Sequence, residues 1–493
     1  MNTKPATQKM RKPFIATLIS LLCLTACDNF LNVVPVGKTY TSLAFSTIEG
    51  MRTARSGMYY KMYELYSSEC YVFADLAANT IILNHNSAIS DRTKQIYDYE
   101  PVLNQNGYWG FLYEIIANIN QVIAHQPALI QKYPERQSEL EGIKGEALFL
   151  RAFCHFALCN FYAQAYNYSP DASHPGIIIV TRNLGPSDKL ARSSVKEVYE
   201  QIVADLHEAD KFLEGRSSTS KYYAGQQAVQ ALLSRVYLYM EDWEKAAAYA
   251  TRALQNTKLA RGEDYLQMFT HLNNKETEVI FRLNGLKNDN NLLIRLFSMQ
   301  KDGQGKALPP PALVDKTLSD LLSEHPGDIR ITGLMRREVN TEGNTYFSTE
   351  KFNIKDNQDP QDEHINPILL RLSELYLNRA EAYLNMKQEA EAAADLIQIL
   401  ARGLQQDPAG FSLSYGSSDE LRSMLRKERT KELCFEGHLL FDLKRWKQDM
   451  RRSPQTTSPV HYLPYPNNRF LLPIPEREMR INPNISPNPD VNN

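Results

Sequence analysis

LRKERTKELCFEGHLLFDLKRW, residues 425–446, repeats its apolar side chains every three to four positions, the period of a helix with one face in a core. Glu428, Arg429, Glu432 and Glu436 stand three or four apart, so on one helix they support one another and reach toward Arg445. Gly437 lets another backbone come close, and Trp446 offers a large apolar anchor. These are fold-making residues with no mark of catalysis. The spacing predicts one helix over 419–446.

The same period recurs outward from this block. Residues 138–165, 195–213, 226–254 and 369–400 carry it with few glycines or prolines, and 108–124 is a shorter case. Strand-like runs are few: 176–180, 278–283 and a short stretch at 470–472. Two helical blocks echo each other, because Tyr237 precedes Ala246 by nine residues just as Tyr383 precedes Ala392. That spacing suits a tetratricopeptide-like helix pair, in which a large residue on one helix packs against a small one on the next. The two copies lie 146 residues apart instead of 34, so long insertions must separate them. The fold class expected is all-α, a helical-repeat body with long irregular loop insertions.

Between the copies, residues 284–364 hold LNGLKNDNN, KDGQGKALPPP, EHPGD and KDNQDPQDEH, polar, glycine-rich and proline-rich runs that read as surface excursions. Long loops inside a compact domain are usually functional, so the working surface is expected there and over 79–105. The chain holds 27 tyrosines and 3 tryptophans. Rings at helical spacing, such as Phe149, Phe153, Phe156 and Tyr162, read as core. Tyr97, Tyr99, Tyr108, Tyr346 and Phe347 fall in or beside the excursions, where a ring can stack on the apolar face of a sugar. With the polar residues Asn84, His85, Arg92, Asn288 and Asn290 of the same segments, they form the candidate ligand-binding set.

Signals for an enzyme are weak. HExxH, GxSxG and GxxxxGK[ST] are missing from the sequence, and Gly303-Gln304-Gly305-Lys306 runs into three prolines instead of opening a helix. Asp356, Asp359, Asp362 and Glu363 lack the calcium-loop pattern and read as solvated loop charge. No catalytic residue, metal or cofactor is expected.

At the amino end, Lys4, Lys9, Arg11 and Lys12 precede an apolar run over 14–24, too short to span a bilayer, and Thr25-Ala26 precede Cys27. This is the shape of a lipoprotein signal peptide over 1–26, with Cys27 acylated as the lipid anchor and Asp28, Asn29 and Pro35 beginning a polar leash. Cleavage removes four basic and no acidic residues, which takes the formal charge from −2 to −6 and disfavours nucleic acid as a partner. Cys70, Cys154, Cys159 and Cys434 then remain, too few for a disulfide scaffold; Cys154 and Cys159 read as core fillers.

The block at 425–446 resembles the ER-x-x-EL-x-FEG-x-R-x-x-DL-x-RW helix of the SusD/RagB family of nutrient-uptake lipoproteins. ILLRLSELYLNRAEAYLNM (368–386), FLLPIPEREMRINPNISPNP (470–489) and GEALFLRAFCHFALCNFYA followed by HPGIIIVT resemble further family segments. His438 stands where the family has arginine, and Ser486-Pro487 where it has the glutamine of QNP. The resemblance implies one SusD-like domain over 27–493: a helical-repeat half (27–280), a loop-rich insertion (281–365) and the C-terminal helices with a closing segment (366–493). It implies a lipid-anchored outer-membrane protein, facing outward, that binds an oligosaccharide and hands it to a SusC-like TonB-dependent transporter without cleaving it. The alternatives are a peptide-binding member of such an uptake system and a protein-interaction scaffold with no small ligand.

Overall fold

Helices that pair in sequence order, each covering the apolar stripe of the one before it, build most of the molecule. The computed structural model describes residues 44–84, 87–100, 107–216, 220–275, 277–287, 291–301, 304, 307–339, 345–357 and 364–489. The described residues from 52 onward form one compact unit, separate from that of 44–51. The longer helices are α1 (Ile48–Tyr66), α2 (Gly107–Lys132), α3 (Gln137–Tyr162), α4 (Val195–Phe212), α5 (Gln226–Tyr239) and α6 (Trp243–Ala253). After a long detour follow α7 (Leu372–Asn385), α8 (Glu389–Gly403), α9 (Ser418–Glu432) and the shorter α10 (Leu439–Arg445). Packing runs α2 on α3, α3 on α4, α5 on α6, α6 on α7 and α7 on α8. Helix α3 sits at the centre, and from Leu140 onward nearly every side chain on it is buried.

The repeat read from the sequence is present. In α5–α6 the buried Tyr237 and Ala246 sit on the two facing helices, and Ser234 Oγ donates to the Ala246 carbonyl at 3.0 Å. Each pair turns on a non-glycine residue in the left-handed region, Glu241 (φ 60°) and Lys387 (φ 63°). Each turn closes alike: Asp242 N donates to Tyr237 O at 3.0 Å and Gln388 N to Tyr383 O at 2.8 Å. The second pair packs directly on the first, with Arg379 Nη1 donating to Thr251 Oγ1 at 3.0 Å. Residues 254–371 therefore leave the helical array and return to it without parting its units.

That detour is more ordered than its composition predicts. It holds short helices at Leu292–Phe297, Lys316–Ser323 and Ile329–Leu334 and a hairpin of Met335–Val339 with Thr345–Thr349. Each short helix begins on a side-chain cap, Asn291, Asp315 or Asp328, whose oxygen accepts from the first turn. Polar residues read as loop are in these places helix starts. Strands form two-stranded antiparallel pairs, Val279–Arg282 with Ile368–Arg371 among them, as the 278–283 run predicts. The 176–180 run is extended but forms no strand, because side chains take its amides: Ile178 N donates to Tyr113 Oη at 2.9 Å and Val180 N to His155 Nε2 at 3.2 Å. Residues 468–470 form a 3-10 turn instead of a strand.

The deciding block is two helices, α9 and α10. Between them Phe435 (φ 64°) and Gly437 (φ 78°) are left-handed, and the buried Asp75 carboxylate accepts from Phe435 N at 2.8 Å and Gly437 N at 2.7 Å. An alanine Cβ at 437 would lie 2.4 Å from the Tyr71 carbonyl oxygen, so the close approach expected of this glycine is real. The charged residues here also pair differently from the expectation. Arg445 binds Glu381 (2.6 Å) and Asp442 (2.7 Å), and Arg429 binds Asp442 (2.7 Å). Glu428, Glu432 and Glu436 turn instead to cations that the detour and the repeat bring in from far along the chain.

Glu432 is the centre of that cluster. Its carboxylate lies 2.6 Å from Arg371 Nη1, 2.5 Å from Arg402 Nη2 and 3.2 Å from Arg330 Nη1. Around it Glu278 joins Arg371 and Arg402, Asp328 and Glu428 hold Arg330, Lys431 meets Glu428, and Glu436 holds Arg371 and Lys351. Burial pushes the Glu432 pKa up, yet the guanidiniums of Arg402, Arg371 and Arg330 hold it well below the usual carboxylate range. The cluster ties the short helix Ile329–Leu334, the strand Ile368–Arg371, α8 and α9 into one frame.

Candidate functional site

The two excursion segments expected to form the working surface meet each other. Strand Ile81–Leu83 pairs antiparallel with Ala312–Val314, and beyond it Asn84 N donates to the Pro311 carbonyl at 2.8 Å. Ser87 Oγ accepts from Asn84 Nδ2 (3.0 Å) and donates to the Pro309 carbonyl (3.1 Å), which fixes the loop on the proline run. Ser90 caps the helix Asp91–Asp98 by accepting from Thr93 N at 3.1 Å. Opposite, the buried Asn291 accepts from Leu293 N at 2.9 Å and donates through Nδ2 to Tyr63 Oη at 3.3 Å, which seats the helix Leu292–Phe297.

An open groove of about 560 Å³ lies between the two capped helices, lined by Ile89, Ser90, Thr93, Ile294, Arg295, Met299 and Pro311 among others. Its volume falls within the usual range for small-ligand sites. Apolar walls with hydroxyls and one exposed guanidinium can grip a polyhydroxylated ligand through van der Waals contact and hydrogen bonds. No carboxylate is among its described lining residues. Among the described residues, no group of three or more His, Cys, Asp or Glu is placed to hold a metal. Asp356 is engaged by the amides of Leu272 (2.8 Å) and Asn273 (2.9 Å); Asp359, Asp362, Glu363 and most of the Gly303–Lys306 run lie outside the described residues.

The expected aromatic platforms are placed elsewhere. Tyr97 is fully buried, its hydroxyl 2.7 Å from Thr456 Oγ1 and its ring under the Arg452 guanidinium. Tyr108 is sealed between Phe73, Phe161 and the guanidinium of Arg92, which pairs with Glu69 at 2.9 Å. Tyr99 donates its hydroxyl to the Ala77 carbonyl, and burial pushes its phenol pKa up to about 12. Neither Tyr97 nor Tyr108 offers a ring face to a ligand: with Tyr99 and Arg92 they fasten the helix Asp91–Asp98 and the start of α2 to the core. The reason is tertiary, since Arg452, Thr456 and Arg469 cover Tyr97 and Tyr99 while Phe73 and Phe161 enclose Tyr108. Tyr346 and Phe347 are half-buried on the hairpin, opposite Glu338 and Arg337, and do not line the groove. Asn84 stands at its edge. Cys27, His85, Asn288 and Asn290 lie outside the described residues.

The groove residues Ile89, Ser90, Thr93, Ile294, Arg295, Met299 and Pro311 are not in the candidate set read from the sequence. The available signal was the pair of capping residues, Ser90 and Asn291, each placed just before a short periodic run. Cys70, Cys154, Cys159 and Cys434 are buried free thiols, as the core-filler reading of Cys154 and Cys159 expects.

Comparison with known proteins agrees with the fold. A family model described as "Starch-binding associating with outer membrane" matches residues 39–238, and the SusD family model matches 332–490. The chain belongs to the SusD/RagB family. A SusD-like protein P2 from Formosa agariphila is 24% identical, with 97% of this chain and 99% of that protein covered. A SusD superfamily structure from Bacteroides thetaiotaomicron superposes with a TM-score of 0.76 at 27% identity, covering 90% of this chain and all of that one. A SusD-like carbohydrate binding protein from Bacteroides vulgatus shares the fold (TM-score 0.71, 22% identity, 89% and 97% covered). SusD/RagB membership places the chain among outer-membrane-associated proteins that bind carbohydrate in nutrient uptake, on an all-α helical fold. No helix of the described residues is long and apolar enough to cross a membrane.

Proposed function

We propose that this chain is a lipid-anchored protein of the outer membrane, facing the cell exterior, which captures an oligosaccharide in the groove between residues 88–93 and 292–311 and passes it uncleaved to a SusC-like TonB-dependent transporter. The observation that carries the reading is the groove itself: two surface segments, each started by a side-chain cap, converge on an open cleft with no carboxylate among its described lining residues. Family membership supplies the class of ligand. Cys27 supplies the anchor, and a TonB-dependent barrel lying next to this protein in its operon is the expected partner.

The test is calorimetric titration of the purified protein with a panel of neutral oligosaccharides. Binding of at least one, weakened at least about fivefold by Arg295→Ala or Met299→Ala and without release of reducing sugar, supports capture at this groove. Unchanged affinity of both variants for a glycan that the parent binds discards it. Cys27→Ser is expected to move the protein from the membrane pellet to the supernatant. A peptide cargo is the second reading, and one observation favours it: no aromatic ring is among the described lining residues. A peptide library in the same titration separates the two.

A further inference from the structure

On another part of the surface, an open groove of about 540 Å³ runs beside α9, bounded by Arg422, Arg426, Lys427, Trp446, Leu321 and Gln448 among others. Elsewhere along α9 and α10 the buried arginines meet carboxylates: Arg429 with Asp442, Arg445 with Glu381. Arg422 donates only to an amide oxygen, Asn385 Oδ1 at 3.1 Å, and the Arg426 guanidinium lies 5.0 Å from the Trp446 ring with no acceptor for its N–H groups among the described residues. Lys427 reaches out to Glu324 at 2.9 Å. Asp419 is the one carboxylate among the lining residues, against three cations.

Two arginines at i and i+4 on one helix face repel each other and cost helix stability. Burial of half the Arg426 side chain lowers its pKa from the ordinary value, with Arg422 adding to the effect and Glu381 opposing it. A fold under no other demand would place a glutamate at one of these positions. The Trp446 edge is occupied, since Nε1 donates to Glu381 at 2.8 Å, and two guanidiniums lie over its ring, so it walls the groove without stacking on a ligand. Forked donors not paired with a carboxylate match the planar oxygens of an incoming carboxylate or the tetrahedral oxygens of a sulfate. The remaining lining has hydroxyl and amide groups, Ser423, Thr430 and Gln448, above an apolar floor of Leu321 and Leu443.

We propose that this groove is a second ligand site, in which Arg422 and Arg426 grip the carboxylate or sulfate of an acidic sugar unit while the hydroxyl-bearing rim and leucine floor hold its ring. The anion follows from the arginines; the sugar as its carrier rests on the glycan-capture reading above. Trigalacturonate is the probe, titrated into the purified protein by calorimetry with inorganic sulfate and hexaglutamate as competitors. The expected result is binding that weakens as salt is raised, falls at least about tenfold in the Arg422→Gln, Arg426→Gln double variant, and returns in part with lysine at both positions. The melting temperature of each variant checks that the fold survives. No binding of trigalacturonate, or binding unchanged in the double variant, overturns the site. Displacement by hexaglutamate at lower concentration than trigalacturonate assigns the groove to an acidic protein segment, and competition by sulfate alone removes the sugar from the assignment. Neutral-glycan binding in the other groove reads out separately, so either proposal can fail without the other.

Discussion

Around Glu432, five cations (Arg330, Lys351, Arg371, Arg402, Lys431) and five carboxylates (Glu278, Asp328, Glu428, Glu432, Glu436) are closed away from water, each facing an opposite charge. The groove between residues 88–93 and 292–311 is open and carries a single charged residue, Arg295, in its described lining. The difference separates two kinds of information. In the frame every partner is specified, because a buried charge without its counterpart is costly. In the groove, side chains can change with little penalty to the fold, so this is where ligand choice can vary.

Breaking the frame gives the largest effect. Glu432→Ala leaves three arginines facing one another without their shared carboxylate, and the expected loss is about 3–5 kcal/mol of stability, read by chemical denaturation. A variant as stable as the parent would remove the frame from the account. Next comes pH. Burial raises the Asp75 carboxyl from its ordinary value to about 6, so its contribution to stability is present in acid and is lost as pH rises through about 6. That loss amounts to up to about 3 kcal/mol. Glu381 has the opposite sign: burial raises its pKa, but Arg445 and Arg429 together bring it down to about 2. Its contribution is complete above the ordinary glutamate value and disappears only as pH falls toward 2. Denaturation of Asp75→Asn and Glu381→Gln across pH 3 to 8 distinguishes the two slopes, because each variant flattens its own limb. Gly437→Ala forces a Cβ against the Tyr71 carbonyl at positive φ and is expected to cost about 1–3 kcal/mol in the same assay. Smallest on this scale are Arg295→Ala and Met299→Ala, within about 0.5 kcal/mol of the parent, although ligand binding falls. A groove variant that unfolds the protein would erase the distinction.

The helices were legible because period 3.6 is a local property, and so was the repeat, whose turns at Glu241 and Lys387 adopt the same backbone shape. The frame was not. Arg330 and Glu428 are 98 residues apart, Arg402 and Glu278 are 124 apart, and nothing local to either member names the other. For the same reason the glutamates of 425–446 were assigned to Arg445 when Arg371, Arg402, Arg330 and Lys351 hold them. The break at 433–438 stayed hidden because Asp75, more than 350 residues upstream, supplies the acceptors that the helix gives up. Residue choice failed for the rings: Tyr97 and Tyr108 fall in or beside polar segments, yet the distant residues 452–458 cover Tyr97, and Phe73, Phe161 and Arg92 enclose Tyr108.

Helices α6 and α7 clasp each other directly, although 118 residues separate the end of one from the start of the other. A seam of this kind lets new sequence be spliced in between while the columns on either side stay standing. Relatives with quite different appetites could thus arise by rewriting the detour alone, provided the few charged rivets that pin it down are kept.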